Sequence, residues 1–297
     1  MQKSGLKLAR KKLLIAWVFV LPVLLIRAVT TLYPVGMTVG YSFMDFDLIK
    51  QTKQFNGVTN YIALLNDTGF KQAFSFTLKF TLISMLSIVV LGIILALLMK
   101  YQFMGRKLLR TVSLIPWGMA MIVVSIAGTW IFDDTYGIVN DLIRRTIDPN
   151  FHYGWLASNT GAQIAVIIVN VWKNTPFFAI IMLSAFQGIP SELYESARID
   201  GANSITIFFK IMLPYVLSTF IMMIIFIGVG QISSFEIVYG MTRGGPGSTT
   251  SLLAYKLYME ATKSLNYGAA SAITTVMFLI MAVFGGIGLY LHRKVDY

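Results

Sequence analysis

The side chains with the most capacity for specific chemistry in this 297-residue sequence lie inside its apolar runs. Asn170, Lys173, Asn174 and Phe177 recur at spacings that place all four on one face of a helix. A later run holds Gln231, Ser233, Ser234 and Glu236, with Gln231 and Ser234 sharing a face. In hydrocarbon each polar group is costly unless a cavity or a partner helix receives it. Amides and hydroxyls exchange hydrogen bonds with a hydroxyl-rich ligand, and an aromatic face covers the apolar side of a ring. The chemistry on offer is therefore recognition. At each amide, interhelical packing is the competing reading. Lys173 fits an ion pair with Glu236, snorkelling to a watery cavity, or attraction of an anionic or hydroxyl-rich ligand.

Catalysis finds no support. The sequence has no cysteine, and His152 and His292 lie too far apart for metal-ligand spacing. It contains no Walker sequence, no H-E-x-x-H and no G-x-S-x-G, so we expect no catalytic residue, metal or bound cofactor in this chain, and no nucleotide chemistry of its own. Arg243-Gly-Gly-Pro-Gly247 reads as a turn, since it lacks the Lys and Ser/Thr of a phosphate-binding loop.

The elements that must position these residues are membrane spans. Hydrophobic residues make up 56% of the chain, charged residues 12%, and the mean hydropathy is +0.71. We read an all-α polytopic membrane protein, a single domain over 1–297, with six spans at roughly 13–36, 75–99, 108–132, 162–187, 214–240 and 268–292. Counted along the fourth and fifth spans, Asn170 and Gln231 stand equally far from the connecting loop at 188–213, roughly 25 Å at helical rise. Equal depth and a shared face let the two sets line one chamber. Gly285-Gly-Ile-Gly288 in the last span suits close helix packing.

The net charge of +11 is not gathered into a nucleic-acid-binding domain. Lys3, Lys7, Arg10, Lys11 and Lys12 precede the first span, and Lys100, Arg106, Lys107 and Arg110 follow the second. The positive-inside rule places both groups, both termini and loop 188–213 in the cytoplasm. The first run continues past Pro22 to Arg27 without a tidy cleavage site, which favours an uncleaved span over a secretory leader. Of the outward segments, the first reads as a turn at Asn56-Gly57 followed by a short surface helix around Tyr61–Leu65.

Loop 188–213 is too polar to span a bilayer and reads as two short helices. Ser191 serves as a cap for a helix through Asp200, Gly201 as a left-handed stop, and Asn203 or Ser204 as a second cap. Ser196 and Ala197 keep this elbow thin.

Glu195, Ala197, Gly201, Ile211, Leu213 and Pro214 stand at the spacing of the EAA motif, with Ser196 in place of its middle alanine. The chain thus resembles the permeases of bacterial ABC importers. Phe55-Asn-Gly57, Leu114-Ile-Pro116-Trp117, Tyr136-Gly-Ile-Val-Asn140, Gly244-Gly-Pro246 and Tyr267-Gly-Ala-Ala270 resemble the carbohydrate-uptake branch, and in particular the first of its two different permeases. That resemblance implies a type I importer permease fold in the bacterial inner membrane. It implies as partners a second, different permease subunit, two cytoplasmic ATPase subunits that bind ATP and Mg, and an extracytoplasmic solute-binding protein. Glu195, Ser196, Ala197, Asp200, Gly201 and Ala202 would form the coupling helix seated on the ATPase. Asn170, Lys173, Asn174, Phe177, Gln231 and Ser234, with Trp117 and Met119, would line the path of a sugar or oligosaccharide. Glycerol phosphate, a uronate oligosaccharide or a polyol remains an alternative solute, and a stand-alone secondary transporter or channel would leave the EAA spacing unexplained.

Overall fold

Apolar runs too long for an ordinary soluble helix dictate the architecture. The computed structural model describes residues 2–295, most of them helical. Helix α1 (Gln2–Arg27) continues through a π-turn at Ala28–Leu32 into α2 (Tyr33–Ser42), and Ile15–Ser42 is apolar enough to cross a membrane. Three further helices pass the same test: α4 (Thr68–Lys100, 33 residues), α8 (Asn159–Gln187, 29 residues) and α15 (Tyr267–Val295, 29 residues). Each begins where its sequence supplies a stop for the preceding chain. Asp67 accepts a hydrogen bond from the Gly69 amide to open α4, and the Ser158 hydroxyl accepts from Gly161 to open α8.

The runs 108–132 and 214–240, expected as single spans, are each divided. The first becomes α5 (Arg106–Gly118) and α6 (Met121–Ile131), which meet at 98°. Pro116 and Gly118 weaken the end of α5, and Met119 and Ala120 go extended between the two helices. The second begins below its expected start, as α10 (Ser204–Ile207), a π-turn at Phe208–Met212 and α11 (Leu213–Tyr215), and turns by 76° into α12 (Leu217–Ile232). Helix α12 stops at Ile232, and α13 (Glu236–Met241) follows a break at Ser233–Phe235. The bundle therefore has four unbroken candidate spans, or up to six when each bent pair counts as one.

Helices α4 and α8 form the central pair. Gly92 of α4 sits so close to the Phe178 ring of α8 that a Cβ would collide with it. Phe178, Met182 and Ile88 are fully buried around this contact. Elsewhere in the bundle, Gly288 of α15 packs directly on Ile225 of α12, while Gly285 and Gly286 have no such neighbour.

At the start of α4 lies a small platform. Strands β1 (Met44–Asp47) and β2 (Thr52–Phe55) pair as an antiparallel hairpin, an element absent from the sequence reading, ahead of α3 (Thr59–Asn66). The Asn60 amide donates to the Ser42 and Met44 carbonyls at 2.9 and 2.8 Å, joining α3 to the end of α2 and the start of β1. Helix α14 (Leu253–Thr262) is held there by Lys256, whose ammonium lies 2.9 Å from Asp67 and 3.0 Å from Glu260. At the opposite end of α4 stands the elbow helix α9 (Ser191–Ile199).

Candidate substrate cavity and elbow surface

Trp117, Asn170, Asn174, Phe177, Gln231 and Ser234 line one cleft of about 570 Å³ between α5, α8 and α12. The cleft exists because both flanking runs are broken. The end of α5 carries Trp117 inward, and α12 ends just past Gln231 so that Ser234 turns over the top.

The amides form a relay. The Asn174 amide nitrogen donates to the carbonyl and side-chain oxygens of Asn170 at 2.9 and 3.0 Å, and Asn170 donates to Gln231 Oε1 at 2.7 Å. Asn170 is 1% exposed and Gln231 6%. Asn170 glues α8 to α12, the packing role, whereas the Gln231 Nε2 and Asn174 Oδ1 ends have no protein partner among the described residues. One wall is aromatic. Trp117 and Phe177 stack with centroids 5.0 Å apart and planes at 10°, and Phe226 abuts Phe177 at 5.7 Å.

Lys173 and Met119 are not among the residues that line the cleft. The Lys173 ammonium donates to the Trp117 carbonyl at 3.3 Å, near the α5–α6 break, where that carbonyl lies at the end of its helix. No ion pair within 4.0 Å joins it to Glu236 among the described residues. Met119, extended in the break, packs against the core around Val124 and Ile237. Met121 lines the cleft in its place; Pro116 and Gly118 were the signal that the chain would turn there. A larger groove of about 680 Å³ lies along α4, α5 and α8, but its lining is mostly apolar, with Leu91, Val112, Ile168 and Trp172 beside the small hydroxyls of Ser87, Ser113 and Thr175 and no amide or charged group. With only these hydroxyls for polar contact, it suits acyl chains or another helix better than a polar solute.

At the elbow, Gly201 adopts φ +78, the left-handed stop expected of it, and Asn203 accepts from the Thr206 amide at 2.8 Å to cap the next turn. Pro190, and not Ser191, occupies the cap position before α9. Glu195, Ser196, Asp200 and Gly201 are exposed, Ala202 is half-buried, and Ala197 is buried against the core that contains Met99 and Met212. The small size of Ala197 therefore lets α9 lie close to its own bundle. Apolar residues do face outward here: Ile199 is 87% exposed and Ile205 71%, a feature the motif spacing did not single out. Lys100, last in α4, donates to the Tyr194 hydroxyl at 2.6 Å and lies 4.0 Å from that ring's centroid. Burial pushes the Tyr194 hydroxyl pKa up.

Residues 88–297, which carry this cleft and elbow, match the family described as binding-protein-dependent transport system inner membrane component. The chain belongs to that family. It is 31% identical over 284 residues to the sulfoquinovosyl glycerol transport system permease protein SmoG of Agrobacterium fabrum, covering 95% of this chain and 92% of that protein. It is 32% identical over 285 residues to the trehalose/maltose transport system permease protein MalF of Thermococcus litoralis, covering 94% and 93%. Its fold matches a chain of a bacterial alginate ABC transporter, solved in complex with an alginate pentasaccharide-bound periplasmic protein, with a TM-score of 0.81 at 21% identity over 96% of both chains. The protein is thus an all-α, multi-pass inner membrane component of a binding-protein-dependent transport system, and the family relatives named above are permease subunits.

Proposed function

We propose that this chain is one of two different permease subunits of an ATP-driven importer and forms half of the path for a sugar or oligosaccharide. The observation that carries the reading is the convergence of the Asn174–Asn170–Gln231 relay with the Trp117–Phe177 stack in one cleft. Outward amide ends beside ring faces match the alternating polar and apolar surfaces of a sugar. The names of the trehalose/maltose and sulfoquinovosyl glycerol relatives support the same solute class. Lys173 favours a neutral solute over an anion, because its ammonium is held by the Trp117 carbonyl.

The elbow faces the cytoplasm, with both termini on that side, and seats Glu195, Ser196, Asp200 and Gly201 in a groove of one of two ATPase subunits. Those subunits hold ATP and Mg; this chain supplies no cofactor and no catalytic group. Exposed Ile199 and Ile205 add the apolar contact that such a seat requires. An extracytoplasmic binding protein delivers the solute to the platform around the β1–β2 hairpin.

Reconstitution with the second permease, both ATPase subunits and the binding protein tests this reading. Wild type takes up a radiolabelled sugar that the binding protein retains, and Gln231→Ala lowers uptake without loss of the assembled complex. Uptake confined to amino acids or phosphoesters, or transport that persists without the ATPase, overturns it.

A further inference from the structure

The apolar groove along α4, α5 and α8 is one membrane leaflet deep. Between Lys79 and Lys100, roughly 31 Å apart at helical rise, α4 carries no charged residue, so this stretch matches the thickness of a hydrocarbon layer. The groove residues of α4, Ser87, Leu91 and Leu95, run from its middle towards the end where Lys100 meets Tyr194 of the elbow. At that end the groove leads into a basic cluster. Arg110 donates to the Met99 carbonyl at 2.9 Å, one turn beyond Leu95. Arg106, Arg110 and Ser113 recur at spacings of four and three, which puts them on one face of α5, and Ser113 lines the groove. Arg106 and Lys107, with Gln102, Phe103 and Gly105, also form a hollow of about 380 Å³ at the start of α5.

The protein does not pair these cations. The Nε atoms of Arg106 and Arg110 are buried and have no hydrogen-bond partner among the described residues. No carboxylate among those residues lies within 4.0 Å of Arg106, Lys107 or Arg110. A guanidinium withdrawn from water is costly unless it is paired. The charge also decides between the two occupants that an apolar groove admits. A helix lying in it would bring its own basic flank to this end, as α15 does with Arg293 and Lys294, and like charges would meet. An anionic headgroup is instead attracted by each basic residue near the membrane surface. We infer that this face binds an anionic phospholipid from the leaflet on the elbow side, with its phosphate at Arg106 and Lys107 and an acyl chain against Leu91, Leu95 and Val112. The site shares no lining residue with the solute cleft, so it holds whatever the solute is.

The test titrates dioleoylphosphatidylglycerol and dioleoylphosphatidylcholine into the complete transporter in detergent and measures bound lipid by native mass spectrometry. The anionic lipid is expected to bind about thirtyfold more tightly, the weight of two basic contacts. Arg106→Gln and Lys107→Gln should each weaken it about fivefold and leave phosphatidylcholine unchanged. Val112→Trp, which fills the groove, should weaken both lipids. Inorganic phosphate at constant ionic strength should displace neither. Equal binding of the two lipids overturns the site, as does unchanged binding in both glutamine variants or in Val112→Trp. Displacement by phosphate would make the hollow a site for a soluble anion and overturn it. Loss of an ATPase subunit or of the second permease from the Arg106→Gln or Val112→Trp complex would make this face a subunit interface and overturn it too.

Discussion

Asn170 has both ends of its side chain engaged, one to Asn174 and one to Gln231, while those two neighbours each keep one end open. Truncation at Asn170 or Asn174 should therefore break the relay. Asn170→Ala leaves the buried Gln231 oxygen without a donor, at a cost of about 1–3 kcal/mol, and should lower the melting temperature of the purified protein as well as its transport. Asn174→Ala leaves the buried Asn170 side-chain oxygen without its donor and should lower the melting temperature by a like amount, and it should also raise KM for the solute because its own open end is lost. An unchanged melting temperature in both variants would contradict the relay. Asp67 offers a second contrast. Burial pushes its carboxyl pKa up, but the hydrogen bond from Lys256, the Gly69 amide and the Lys256 charge outweigh it and hold the group below its ordinary 3.8. A depressed carboxyl stabilises the fold above its unfolded pKa and loses that contribution as pH falls through the folded value. Wild type should thus lose thermal stability on acidification from about pH 5 downward more steeply than Asp67→Asn, which retains the helix cap but not the ion pair with Lys256.

The elbow was legible because its elements obey local rules. A glycine stop and an asparagine cap act within one turn, and both fall where the residues place them. Gly201 has open space where a Cβ would stand, so its requirement is the left-handed backbone alone. Gly201→Asn should then preserve transport, since asparagine tolerates that conformation, whereas Gly201→Val carries roughly 1–2 kcal/mol of backbone strain and should uncouple ATP hydrolysis from uptake. Equal failure of both would instead mean that a partner fills the space beside Gly201. Tyr194→Phe, which removes the hydroxyl bonded to Lys100, should raise ATP consumed per sugar imported while leaving the melting temperature nearly unchanged. The cleft was legible in its polar members and illegible in its walls. Spacing brought Asn170, Asn174, Phe177, Gln231 and Ser234 together, since a helix face is a local property. The breaks at Met119–Ala120 and Ser233–Phe235, which decide that Met119 leaves the cleft and Met121 enters it, depend on how α6 and α13 pack on α8 and on each other. Pro116 and Gly118 marked one of them, and hydropathy averaged over a long window passed over both.

Across the whole molecule, the platform and the elbow stand at opposite ends of α4, and no cysteine occurs in the sequence. Single introduced cysteines therefore report sidedness without background. A membrane-impermeant thiol reagent should label Gln54→Cys only from outside right-side-out vesicles and Ile199→Cys only after inversion; labelling of both from one side would refute the proposed orientation. Much of the apolar surface is left for neighbours, with the membrane-crossing window of Ile15–Ser42 wholly unburied within this chain. Helix α4 differs in being gripped at both ends, by Lys256 through Asp67 and by Tyr194 through Lys100. Its 33 residues run ~50 Å at helical rise, well beyond a hydrocarbon layer of about 30 Å. Such a rod has mechanical leverage. A tilt of about 5° about its middle would carry its two ends roughly 2 Å in opposite directions, so a binding event on the platform would reach the elbow as displacement, with no slack to absorb it.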